Sequence, residues 1–178
     1  KWWVIPEVSI IGQFYDNFHF LECIKKRASN FDIPKYDHVV FSYHGIPERH
    51  VDKVYLDGKP CSDHSCESEI NDENTNCYKA TCYATTRLLV KVLSLKDGEY
   101  STCFQSRLGR DPWLTPYTDH VIEKLGKDGK KKLLVFSPAF VADCLETTIE
   151  IGEEYLELFK EHGGEELHLV PSLNDDDD

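Results

Sequence analysis

The chain has 178 residues, of which 40% are hydrophobic and 12% aromatic, enough for one domain with a substantial core. Its formal net charge of −12 argues against nucleic-acid binding, because phosphate recognition needs clustered Lys and Arg. No apolar run approaches the roughly 20 residues that span a bilayer, so we expect no transmembrane segment, while peripheral membrane contact stays compatible with the sequence. Seven cysteines without a secretory signal indicate a reducing compartment, and we expect a cytoplasmic protein.

Strand and helix patterns alternate through the first half of the chain. Apolar residues at helical spacing predict a helix over residues 17–31, capped by Asp16. The β-branched run 39–41 predicts a buried strand, which ends in a loop at 42–47 where Gly and Pro follow. Residues 51–76 are polar and predict a long inserted loop. A loop of this length needs a stabilising feature, and a metal site would supply one.

The second half continues the alternation. Helices are predicted at about 77–93, 118–126 and 142–162, and strands at 100–105, 133–136 and 167–170. This order predicts right-handed βαβ units, and therefore an α/β fold with a mostly parallel sheet flanked by helices on both faces. No repeat or boundary divides the chain, so residues 1–178 are expected to form one domain with a Cys-containing insert at about 51–82.

Candidate chemical groups fall at the carboxyl ends of the predicted strands, where open α/β sheets bind ligands. The segments that land there carry His44, Arg107, Trp113, Asp143 and Glu146. An imidazole is a metal ligand and a proton acceptor near pH 7, and a carboxylate suits Fe²⁺ and also moves protons. Taken alone, His44 is equally consistent with a histidine satisfied in the core. Its position at a strand end, followed by Gly and Pro, favours function.

The last predicted helix carries Glu146, Glu150 and Glu154 at four-residue spacing, which stacks side chains on one helix face. Like charges at that spacing repel, so the row does not serve helix stability. The spacing is consistent with a solvated acidic face or with a track of carboxylates that leads to a reaction centre.

Four of the seven cysteines cluster in the insert. Four, ten and four residues separate Cys61, Cys66, Cys77 and Cys82 in turn. Four thiolates hold either Zn²⁺ or a [2Fe–2S] cluster, but this spacing is neither that of a zinc ribbon nor that of a plant-type ferredoxin. The spacing therefore leaves a cluster, a zinc ion and free thiols as alternatives.

Three ordered blocks of the sequence resemble the ferrochelatase family. Residues 41–49 (FSYHGIPER) resemble the signature around its active-site histidine, and residues 104–109 (FQSRLG) with 111–114 (DPWL) resemble a second block. Residues 140–147 (FVADCLET) resemble the block that carries the active-site glutamate. The similarity implies the second of two similar chelatase-fold halves around a porphyrin cleft. It also implies that the N-terminal half is absent from this sequence and that this piece alone is inactive.

The resemblance implies a lyase of haem biosynthesis that inserts Fe²⁺ into protoporphyrin IX to form protohaem. His44 and Glu146 would form the catalytic pair on opposite sides of the iron, with Glu150 and Glu154 as further metal ligands along an acidic path. Other residues would contact the porphyrin: Tyr43, Ser106, Arg107, Trp113 and Asp143. For Arg107, a salt bridge that orders its loop is an equally good reading.

The insert is also similar to the segment on which some bacterial ferrochelatases carry a [2Fe–2S] cluster, with Cys61, Cys66, Cys77 and Cys82 as its ligands. Two other functions compete with ferrochelatase. One is a related chelatase that inserts cobalt or iron into a tetrapyrrole such as sirohydrochlorin, although relatives of that type more often have His where Glu146 stands. The other is a non-catalytic iron–sulfur or zinc-binding module.

Overall fold

A computed structural model describes residue 4 and residues 6–175. Its centre is a four-stranded sheet in which every neighbouring pair of strands is parallel. The strands are β1 (His38–His44), β2 (Tyr100–Gln105), β3 (Lys132–Phe136) and β4 (Glu166–Leu169). Their spatial order is β2-β1-β3-β4. The predicted α/β class and its parallel sheet are confirmed.

Helices cover both faces of this sheet, as predicted. They are α1 (Phe18–Ala28), α2 (Glu48–Asp52), α3 (Tyr78–Val92), α4 (Thr118–Lys127), α5 (Leu145–Thr148) and α6 (Tyr155–Glu161). Short 3₁₀ turns lie at Ile33–Lys35 and Cys61–Asp63, and a π-helix lies at Glu150–Glu154. One core joins α1 and α3 to the sheet, and a second core joins α4 and α6 to its other face. In the described residues, no helix is both long and apolar enough to cross a bilayer.

The alternation of side chains along β1 divides these two cores. Val39, Phe41 and Tyr43 pack in the core of α1 and α3, whereas Val40 packs in the core of α4 and α6. Successive strand residues point to opposite faces of the sheet. A strand that is apolar at both odd and even positions is therefore buried only if helices pack on both faces. Burying each such side chain contributes roughly 1.5–3 kcal/mol.

The order of the strands places a crevice between β1 and β3. The chain passes from β1 to β2 through α3, and then crosses back through α4 to reach β3 on the other side of β1. From β3 it continues outward to β4, so the connections after β1 and β3 leave in opposite directions. Open α/β sheets bind ligands at the carboxyl edge of such a switch point. The loops that begin after His44 and Phe136 meet there.

Two predicted boundaries shift in the structure. Helix α1 begins at Phe18 because Asn17, and not Asp16, accepts hydrogen bonds from the free N–H groups of the first turn. Strand β1 extends through Ser42 and Tyr43 to His44, residues that the Gly and Pro signals had assigned to a loop. Parallel pairing with β2 continues to the last of these residues and overrides the local signal.

The prediction of one long helix over residues 142–162 is wrong. Helix α5 starts at Leu145 and lasts one turn, the π-helix Glu150–Glu154 follows, and α6 starts at Tyr155. The N–H of Glu154 bonds to the carbonyl of Ile149, five residues back, where an α-helix would bond four residues back. This wider turn changes the direction of every side chain that follows it.

A buried histidine makes stability depend on pH. His38 is 6% exposed, and burial, aided by the charge of Lys130, lowers its pKa from 6.5 to about 4. The folded pKa lies below the unfolded one, so the unfolded chain binds more protons between pH 6.5 and pH 4, and stability is lost as the pH falls through this window. We expect His38 to account for a loss of about 2–3 kcal/mol between pH 7 and pH 4.5.

Urea unfolding of the wild type and of His38→Asn at several pH values measures this contribution. The variant should lose that part of the pH dependence, whereas His50→Asn, which changes an exposed histidine, should keep it. Parallel pH profiles for the wild type and His38→Asn would contradict the assignment.

Candidate active site at the carboxyl edge of the sheet

His44 is the last residue of β1 and is oriented by two backbone contacts. Its Nδ1 lies 2.6 Å from the Gly45 carbonyl oxygen. A carbonyl only accepts, so Nδ1 carries the hydrogen and the Nε2 of a neutral imidazole keeps its lone pair. The Tyr78 hydroxyl donates to the His44 carbonyl at 2.9 Å and ties the strand end to α3. The histidine therefore offers one free nitrogen in a set direction.

Two aromatic rings flank the imidazole. The centroid of the His44 ring lies 6.4 Å from that of Trp113 and 6.0 Å from that of Phe140. Gly45 permits this approach, because a Cβ there would lie 3.3 Å from the Trp113 ring and 3.0 Å from the Gln105 carbonyl oxygen. The indole N–H of Trp113 is buried and has no hydrogen-bond partner among the described residues.

Glu146 faces the same crevice from the first turn of α5. A hydrogen bond from its own backbone N–H, one from the Cys144 thiol and the charge of His44 lower the pKa of its carboxyl group. The side chain of Gln105 donates to the Glu146 carbonyl oxygen at 2.6 Å and links α5 to the end of β2. Both residues lie on segments that follow the carboxyl ends of the neighbouring strands β1 and β3, and the charge of His44 acts on the Glu146 carboxylate.

The three glutamates of the acidic row differ in their surroundings. Glu150 turns toward the end of β2, where its carboxylate accepts from the Ser106 N–H (2.8 Å), the Ser106 hydroxyl (2.5 Å) and the Gln105 amide (3.2 Å). It also accepts from the Tyr155 hydroxyl at 2.6 Å. Glu154 is exposed to solvent. The π-helix at Glu150–Glu154 has a wider turn than an α-helix, and the stacking of Glu146, Glu150 and Glu154 on one face stays a prediction.

Ser106 and Arg107, predicted to contact a porphyrin, make internal contacts. Ser106 adopts a positive φ of 64°, a conformation that L residues rarely adopt, and holds Glu150 with both its N–H and its hydroxyl. Arg107 donates to both carboxylate oxygens of Asp119, at 2.9 and 2.7 Å, and lies 4.2 Å from the centre of the Tyr117 ring. For Arg107, the loop-ordering salt bridge is the interaction present.

The side chains of Tyr43 and Asp143, also predicted to contact a porphyrin, likewise make internal hydrogen bonds. Tyr43 is 2% exposed, and its hydroxyl shares a 2.9 Å hydrogen bond with Thr86. The carboxylate of Asp143 accepts from the Ser172 N–H and the Asn174 amide. Burial raises the pKa of Asp143, but these hydrogen bonds outweigh burial and hold it below its ordinary value. Both residues fix the walls of the crevice.

A second cluster lies in the insert. The sulfur atoms of Cys61, Cys66 and Cys77 form a triangle with sides of 3.4, 3.6 and 3.8 Å. All three residues are buried. Cys82, the fourth predicted ligand, is not part of this group. It follows Cys77 by five residues on α3, which turns its side chain about 140° away, and it lines an apolar groove instead.

Tyr55 and His64 border this triangle, and no sequence pattern pointed to either. The Tyr55 hydroxyl lies 2.6 Å from the Cys66 sulfur and 3.9 Å from the Cys61 sulfur. The His64 ring stacks on Tyr55 with centroids 3.7 Å apart and planes 8° apart. Tyr78 and Gln105, which hold the two sides of the crevice, also carried no sequence signal. Isolated Tyr, His and Gln residues are too common for their positions to be informative.

The fold and the site define a class: a parallel α/β domain with ionisable side chains at the carboxyl edge of its switch point, where sheets of this kind bind ligands. The ferrochelatase family profile matches residues 1–178. The chain belongs to the ferrochelatase family.

Known relatives agree with this assignment. The chain is 44% identical over 172 residues to "Ferrochelatase" of Pseudomonas fluorescens (strain SBW25), covering 96% of this chain and 50% of that protein. It is 43% identical over 171 residues to "Ferrochelatase" of Pseudomonas syringae pv. syringae (strain B728a), with the same coverage. The match to "Ferrochelatase" of Pseudomonas entomophila (strain L48) is 41% over 175 residues. The chain spans about half the length of the curated relatives it matches.

Proposed function

We propose that this chain forms one wall of a porphyrin cleft in an enzyme that inserts Fe²⁺ into protoporphyrin IX and releases protohaem. One observation supports the proposal: at the carboxyl edge between β1 and β3, the His44 ring keeps Nε2 free, is flanked by Trp113 and Phe140, and adds its charge to the hydrogen bonds that lower the pKa of Glu146. Membership of the ferrochelatase family supports the same activity.

The proposed chemistry exchanges two protons for one cation. Two pyrrole N–H bonds break as nitrogen–iron bonds form, and no electron changes hands. A flat porphyrin points its lone pairs into the ring plane, so a site that holds the ring bent favours the transition state for metal entry. In the proposed mechanism, Nε2 of His44 accepts pyrrole protons, while Glu146 on the opposite side passes Fe²⁺ to the ring.

The other predicted residues take supporting roles. Glu154, which is exposed, remains a proposed outer ligand for incoming Fe²⁺. Glu150 is proposed to shape the route of the incoming Fe²⁺ without binding the ion, because four hydrogen bonds already occupy its carboxylate. Trp113 is the best placed of the predicted porphyrin contacts, since its ring lies beside that of His44. We further propose that a segment equivalent to the remaining half of the relatives' length forms the opposite wall, and that activity requires it.

We also propose that the insert binds metal. The sequence left a [2Fe–2S] cluster and Zn²⁺ as candidates, and three buried thiols within 4.8 Å of one another support a metal site. We propose a cytoplasmic location, because seven cysteines in a chain of 178 residues suit a reducing compartment.

Anaerobic metallation tests the proposed activity. The full-length natural protein is mixed with Fe²⁺ and protoporphyrin IX, and the product is identified by its absorption spectrum. We expect protohaem at a rate far above the uncatalysed one. Turnover only with Co²⁺ or sirohydrochlorin would favour the related chelatase. Bound metal in the insert without turnover of any tetrapyrrole would favour the non-catalytic module.

A further inference from the structure

Granted the proposed metal-binding role of the insert, we infer that its site holds a single tetrahedral ion such as Zn²⁺, bound by Cys61, Cys66 and Cys77 and capped by the Tyr55 hydroxyl. The site holds no two-iron cluster, and Cys82 takes no part in it. The inference rests on distances between sulfur atoms, the position of one phenol and the direction of one helix face.

The spacing of the three sulfurs matches one ion. Zn–S bonds are about 2.3 Å long, so two thiolates on one tetrahedral ion lie about 3.8 Å apart. The three distances between sulfurs are 3.4, 3.6 and 3.8 Å. All three thiols can therefore reach the same centre without movement of the backbone.

The same distances disagree with a two-iron cluster. In a [2Fe–2S] centre each iron takes two thiolates, so of any three ligands at least one belongs to the other iron. Two of the three sulfur pairs would then have to span the cluster, well beyond one tetrahedral edge. None of the three observed pairs does so. The fourth thiol that such a cluster needs is also missing, because Cys82 faces the apolar groove.

Tyr55 occupies the fourth side of the site. Its hydroxyl oxygen lies 2.6 Å from the Cys66 sulfur and 3.9 Å from the Cys61 sulfur. In a tetrahedral shell with bonds of about 2.3 Å to sulfur and about 2.0 Å to oxygen, the oxygen lies about 3.5 Å from each sulfur, so the phenol moves back from Cys66 by about 1 Å as it takes the fourth position. Metal binding releases the three thiol protons, and the phenol oxygen completes the coordination.

His64 positions this tyrosine. Its ring lies flat against the Tyr55 ring, its Nε2 lies 3.5 Å from Asp57 and its Nδ1 lies 3.5 Å from Glu73. The histidine side chain is only 10% exposed. Because both ring nitrogens face carboxylates, His64 does not bind the ion and acts through Tyr55.

Metal content of the purified natural protein provides the first test. We expect one zinc per chain, no acid-labile sulfide and, by X-ray absorption, three sulfurs at about 2.3 Å and one oxygen at about 2.0 Å from the metal. Two irons and two sulfides per chain would overturn the inference. So would a shell of four sulfurs. These measurements need no variant and no porphyrin, so they stand or fall independently of iron insertion.

Cobalt substitution tests the individual ligands. Replacing Cys61, Cys66 or Cys77 with Ser should weaken Co²⁺ binding roughly 100-fold or more and reduce the thiolate-to-cobalt absorption, while Cys82→Ser should change neither. Tyr55→Phe should shift the visible cobalt bands and weaken binding about 10-fold, whereas Tyr83→Phe, a matched change on α3, should leave both unchanged. An unchanged cobalt spectrum in Tyr55→Phe would overturn the role of the phenol, and loss of the metal in Cys82→Ser would overturn the three-thiol site.

Discussion

Replacing His44 with alanine should reduce the rate of iron insertion about 100-fold or more, with porphyrin binding nearly unchanged. General-base groups typically contribute about 10²–10⁴ in rate, and His44 is the imidazole at the crevice with a free Nε2. Its removal leaves the pyrrole protons without the proposed acceptor. Steady-state kinetics should show the loss in kcat, and quenching of porphyrin fluorescence should show that affinity changes little.

His50→Ala is the matched control, because this histidine is exposed on α2, six residues further along the chain. Its kcat should equal that of the wild type. If His44→Ala retained kcat within threefold while remaining folded, the imidazole would have no part in proton transfer, and the proposed division of roles with Glu146 would fail.

Replacing Glu150 with alanine should lower the free energy of unfolding by about 3 kcal/mol, since hydrogen bonds to charged groups contribute about 1.5–3 kcal/mol each and their donors would be left unpaired. Four donors converge on this carboxylate from Gln105, Ser106 and Tyr155. They join the end of β2 to the π-helix and α6. Urea unfolding followed by circular dichroism measures the difference.

Glu154→Ala separates this role from a general effect of acidic charge. It removes the same chemical group four residues later, at an exposed position, and should change stability by no more than about 0.5 kcal/mol. Glu150→Gln should lie between the two, because an amide has one accepting oxygen. Equal stability of Glu150→Ala and Glu154→Ala would mean that the contacts of Glu150 contribute nothing in solution.

The resemblance to ferrochelatases indicated which residues are central, and the structure showed where the fold places them. The motif around His44 and the block around Glu146 indicated the two central residues, and the resemblance supplied their expected roles. Neither indicated how residues so distant in the chain meet. The order of the strands answers that, because β1 and β3 are neighbours and their following loops share one edge.

The spacing of apolar residues along the sequence was enough to predict the α/β class, the parallel sheet and the helices on both of its faces. Each core strand must bury apolar side chains on both sides, whereas each helix buries only one apolar stripe. The π-helix, the contacts that hold the Glu150 carboxylate, and the exclusion of Cys82 from the thiol triangle required the tertiary structure. Backbone turns and sulfur positions depend on contacts between residues far apart in the chain, such as Ser106 with Glu150 and Tyr55 with Cys66. No local spacing encodes contacts of that kind.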